Sequence, residues 1–95
     1  MLEIINAKYA GDYKIHLTFN NGKKGIANLK QPIFDDHRPI FSKLREESYF
    51  KDFSVENSTV VWSDELDLAA EYLFFLAFKD DPEFQEKFRK WGYIN

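Results

Sequence analysis

Three groups of side chains in this sequence have the types that chemistry uses. Asp35-Asp36-His37 is the densest set of potential metal ligands. A metal needs ligands that converge from several directions, whereas consecutive residues fan apart, and no second cluster stands at a complementary spacing. The set reads as a solvated acidic loop, with no metal expected. Asp64, Glu65, Asp67 and Glu71 form a second acidic group. Paired carboxylates can divide acid and base roles between them. Acids ahead of an apolar run also complement the positive end of a helix, and Asp67 stands where an N-cap would. Capping is the simpler account. His16 is the third candidate, but a general base needs an orienting carboxylate and a pocket, and no spacing supplies them. The chain has no Cys, which excludes thiolate nucleophiles and disulfides. Its four Gly are scattered, so no phosphate-binding loop is present. We therefore expect no enzyme activity and no cofactor.

Charge narrows the choice of partner. Thirteen Lys and Arg face sixteen Asp and Glu, a net −3, which argues against a general polyanion binder. The charges are unevenly placed. Residues 1–34 hold five Lys and two acids, residues 35–71 hold four basic residues and ten acids, and the remainder balances. The N-terminus lacks the basic start and long apolar run of a signal peptide. The most apolar stretch, 68–78, is interrupted by Glu71 and is about half as long as a bilayer span. A cytoplasmic protein with no membrane contact is the expectation.

The elements that would position these residues follow from periodicity. Tyr13, Ile15, Leu17 and Phe19 alternate with Lys14, His16 and Thr18, the period of a half-buried strand. Asn20-Asn21-Gly22 predicts a type I′ hairpin turn, with Lys23 to Leu29 as the partner strand. Leu2 to Tyr9 precedes them, which completes a three-stranded antiparallel meander. Gln31-Pro32 reads as the end of that unit, because the residue before Pro prefers extended backbone. A short helix is expected over 40–47, and two strands over 53–56 and 59–62, joined at Asn57-Ser58. A helix starting at the Asp67 cap, with Leu68, Tyr72, Phe75 and Leu76 on one stripe, should stop near Lys79. Asp81-Pro82 restarts the chain as a helix carrying Phe84, Phe88 and Trp91, with Gly92 just past its end. The sum is one α+β domain over 1–95, its C-terminal helices packed on one face of the sheet.

Aromatic residues make up 18% of the chain, enough to raise burial per residue in so small a domain. Trp62 reads as core. Trp91 and Tyr93, close to the C-terminus, either fold back or anchor a partner. Phe74 lies off the predicted stripe and should point outward, where a second copy of the chain could cover it. At the other end, Lys14, His16 and Lys24 would form a mildly basic outer sheet face.

The order of these motifs resembles a bacterial family, domain of unknown function 2442. The resemblance rests on the hairpin from Tyr13 to Gly22, on Phe41-Ser42-Lys43-Leu44, on Val60-Val61-Trp62, and on the run from Asp67 to Leu73. It covers residues 2–76 and leaves 77–95 as a C-terminal helical extension. Ser63-Asp64-Glu65 stands where the family has a small turn with Gly, and Ala70 where it often has Pro. The resemblance implies an α+β fold and carries no reaction; some members' gene neighbours have prompted antitoxin or regulatory proposals. The expected function is a noncatalytic protein-interaction module, an antitoxin-like or accessory partner of a small neighbouring protein. Its contacts would come from Lys14, His16, Lys24, Phe74, Trp91 and Tyr93, to a protein partner or a second copy. Alternatives are a regulator touching nucleic acid through the basic hairpin, including Lys23, and a ligand carrier or enzyme with an aromatic pocket.

Overall fold

A computed structural model describes residues 1–63 and 66–95. Asp64 and Glu65, half of the second acidic group, lie outside the described residues. The chain runs through β1 (Ile4–Gly11), β2 (Lys14–Phe19), β3 (Lys24–Asn28) and α1 (Lys30–Asp35). Two 3-10 turns, Pro39–Phe41 and Lys43–Arg45, lead into α2 (Glu47–Phe50). Then come β4 (Ser54–Glu56), β5 (Thr59–Ser63), β6 (Leu66–Leu68), α3 (Ala70–Phe78), a 3-10 turn at Pro82–Phe84, and α4 (Gln85–Trp91). The strands form two antiparallel three-stranded sheets, β1-β2-β3 and β4-β5-β6. The fold is α+β, and the N-terminal sheet is the expected meander.

Alternation sorts the first sheet into two faces. Ile15, Leu17 and Phe19 are fully buried, and register places Ala27 opposite Ile15, Gly25 opposite Leu17 and Ile4 opposite Phe19. Tyr13, expected as the first strand residue, instead forms a two-residue turn with Asp12, at φ 63° and 49°. That is the positive-φ pair a type I′ hairpin requires. The Asn-Gly turn differs from expectation in the opposite sense. Only Gly22 has positive φ, the Gly22 N–H donates to the Phe19 carbonyl at 3.0 Å, and the Phe19 N–H donates to the Lys23 carbonyl at 2.9 Å. The loop is therefore three residues long, a β-turn closed by a left-handed glycine. Asn57 and Ser58, at φ 53° and 69°, join β4 to β5 where expected.

Pro32 does not end the N-terminal unit. It sits in the first turn of α1, where a helix has no use for its missing N–H, and Ile33 drops into the core. The expected helix over 40–47 is split between the 3-10 turns and α2, which brings Leu44 and Phe50 inward. Asp67 is not a helix cap. Leu66–Leu68 pairs with β5, Val60 opposite Leu68 and Val61 opposite Asp67, and α3 begins two residues later behind Ala69. Pairing with β5 satisfies backbone groups that a helix start would leave open, and the Thr59 hydroxyl adds a bond to the Leu68 carbonyl. Trp62 is buried as expected, its indole N–H donating to the Phe50 carbonyl at 2.7 Å.

Phe74 is also a correction. It is fully buried, with the rings of Phe19 and Phe84 each at 5.0 Å and those of Phe88 and Trp91 each at 6.1 Å. Helix α3 is apolar on most sides, and its own chain covers them: the first sheet on one, the turn at 82–84 and α4 on another. No outward ring at Phe74 remains to drive pairing of two copies. Asp81 caps the last helical unit by accepting from the Glu83 N–H at 2.9 Å, and Gly92, at φ 85°, ends it. Among the described residues no helix is long and apolar enough to cross a membrane.

Candidate functional site

Two features of the described surface bring together the candidate residues, and they lie on different elements. The first is the outer face of the meander. Cross-strand pairing sets its rows: Lys8, His16 and Ile26 in one, Asn6, Thr18 and Lys24 in the next, then Lys14 opposite Asn28. Directly paired residues share a face, so these side chains stand together away from the core. Lys14, His16 and Lys24 are thus brought onto one surface, as expected, and Lys8 joins them. Lys8 was legible only once register was known, because a strand pattern alone does not say which lysine faces His16. Ile26, on the edge strand β3, is 50% exposed. These rows contain no acid; Asp80 and Asp81 line a groove beside Ile26 and Asn28, at the border with α3. Asp12, in the turn next to Lys14, is bound by Lys30 at 2.9 Å.

The second feature is a cavity of about 400 Å³ between α1, the first 3-10 turn, β6, the start of α3 and the C-terminal tail. Leu29, Ile33 and Leu68 supply apolar surface, and Phe41, Tyr72 and Tyr93 supply rings. Asp36, Arg38 and Asp67 supply charge. The Arg38 guanidinium grips Asp36 through both carboxylate oxygens, at 2.7 to 3.1 Å, and lies 4.8 Å from the centre of the Phe41 ring. The Arg38 side chain, with help from its own backbone N–H, holds the Asp36 carboxyl down to about 2. Behind it, Arg45 donates to the carbonyls of Ile33 and Asp36, and the Tyr13 hydroxyl donates to the Arg45 carbonyl. The loop read as merely acidic is therefore a tethered wall.

Tyr93 folds back onto Phe75, stacked with ring centres 5.0 Å apart, and lies 5.8 Å from Tyr72. Burial pushes both phenols above their ordinary value, so they stay protonated and neutral. Trp91 packs on Phe74, Phe88 and Tyr93. Of the six expected contact residues, three share the sheet face and Tyr93 lines the cavity. Trp91 is half-buried among rings, and Phe74 is core. Sequence reasoning missed Arg38, Phe41, Asp67 and Tyr72 as cavity residues. Asp35, Asp36 and His37 do not converge on a point, and among the described residues no three His, Asp or Glu do.

Neither the curated proteins nor the solved structures contain a match to the chain. Residues 4–79 match the family model described as Protein of unknown function (DUF2442), well over half of the sequence, and the chain belongs to that family.

Proposed function

We propose that this protein is a noncatalytic binding module whose outer meander face docks an acidic protein surface, as an accessory or antitoxin-like partner of a small protein would. One observation carries the reading. Lys8, Lys14 and Lys24 share the outer sheet face with His16 and the exposed Ile26, in a chain whose net charge is −3. An exposed aliphatic side chain on the same face as several cations suits a protein interface, where apolar contact gives affinity and charges steer encounter. A phosphate backbone would gain nothing from the exposed apolar side chain of Ile26.

Titration of the labelled protein with an oligoglutamate peptide carrying one leucine, followed by amide NMR shifts, tests this. The expected shifts map to Lys8, Lys14, His16, Lys24 and Ile26. They disappear when the three lysines become Ala, and a DNA duplex produces none at physiological salt. A response to the duplex alone, lost in the same variant and weakened by salt, would favour the nucleic-acid regulator instead.

A further inference from the structure

We propose that the cavity bounded by α1, β6, α3 and the tail is a binding site for a small organic cation with a flat apolar body. Its volume, about 400 Å³, lies within the range of small-molecule sites. Its surface divides into an apolar part from Leu29, Ile33 and Leu68 and a ring-lined part from Phe41, Tyr72 and Tyr93. Ring faces carry negative charge density and attract cations. The chain already uses this attraction within the cavity wall, where Arg38 rests over Phe41 with its charge answered by Asp36.

Charge decides the sign of the ligand. Asp36 and Asp67 bring two carboxylates to the described lining, and Arg38 brings one guanidinium. That guanidinium is committed to Asp36, so Asp67 is the carboxylate left in excess. An incoming anion would meet Asp67 with the cation already engaged. An incoming cation gains Asp67 and the rings together. Tyr72 and Tyr93 both line the cavity, and a phenol oxygen can accept from a ligand's N–H group. A planar amidinium on an aromatic ring combines these properties: its body fits the apolar part and its N–H groups reach Asp67 and the phenols.

Benzamidine, benzamide and benzoate have nearly the same shape and carry positive, zero and negative charge. Each is titrated into the full chain and followed by amide NMR shifts. Benzamidine is expected to shift Ala69, Tyr72 and Tyr93 and to bind about tenfold more tightly than benzamide, with benzoate weakest. Asp67 is exposed on β6, so Asp67→Asn should keep the fold and remove most of the preference for benzamidine over benzamide. Replacing Lys8, Lys14 and Lys24 should leave benzamidine binding unchanged, which separates this site from the sheet face. Equal or tighter binding of benzoate overturns the proposal, as does the absence of shifts around the cavity with all three compounds.

Discussion

A side chain as small as alanine at Gly25 would collide with Phe78: an added Cβ would stand 2.9 Å from the tip of the ring and 3.3 Å from the Ala77 Cβ. Gly25 faces inward opposite Leu17, and its close approach lets α3 lie directly against β3. Its φ is not in the left-handed region, so space alone requires glycine here. Gly25→Ala should destabilise by about 1–3 kcal/mol, the usual cost of overpacking. Adding Phe78→Leu, which shortens the obstructing ring, should recover part of that loss. Urea midpoints of the single and double variants measure the coupling. Strict additivity would mean that α3 shifts freely and that the contact does not set its position.

The contact between Asp36 and Arg38 in the cavity wall should persist until the pH is well below the ordinary carboxylate range. The Arg38 side chain and backbone N–H hold the Asp36 carboxyl at about 2, below its ordinary 3.8. Because the folded value is the lower one, the pair contributes to stability above the ordinary carboxylate range. That contribution fades as pH falls through about 2. Both groups are reached by solvent, so the effect on global stability should be small. Carboxyl carbon NMR of Asp36 reads the titration directly. Arg38→Ala should return it toward 3.8. An unchanged midpoint in that variant would show that Arg38 does not hold Asp36 in solution.

Much of this architecture could be read from local pattern, and what escaped is non-local. The alternation from Ile15 to Phe19, the β-branched run at Thr59 to Val61, and the Asp81-Pro82 restart each carry their own instruction within a few residues. Helix α1 was missed because the preference of the residue before Pro32 is weak, and burial of Ile33 outweighs it. The segment around Asp67 and Leu68 was ambiguous: one acidic residue before an apolar run looks the same ahead of a helix or on a short strand. Pairing with β5 decides it. Phe74 misled for a related reason. Helical spacing shows a single stripe, whereas α3 is enclosed by sheet, turn and helix at once. The cavity was least legible, since its walls come from positions between Leu29 and Tyr93 that no spacing rule connects.

The turn at Asp12 and Tyr13 is unusual in that its second residue is an aromatic at φ 63°. Left-handed backbone costs an L-residue about 1–2 kcal/mol, and glycine nothing comparable. Tyr13 tolerates the conformation because its ring is well used. It packs 5.3 Å from the Phe34 ring and 5.1 Å from that of Phe50, and its hydroxyl donates to the Arg45 carbonyl that backs the cavity wall. Its own carbonyl accepts from the Leu29 N–H at 2.9 Å, tying the turn to the end of the meander. Both Tyr13→Ala and Tyr13→Gly lose the ring and should destabilise by a few kcal/mol. Their order is the informative part. At most positions glycine is the worse replacement by about 0.5–1 kcal/mol, but here Tyr13→Gly should be the more stable by about 1 kcal/mol. Chemical denaturation of the two variants, compared at equal slope, decides it. If the alanine variant proves more stable, the left-handed turn is not the conformation that holds β1 to β2.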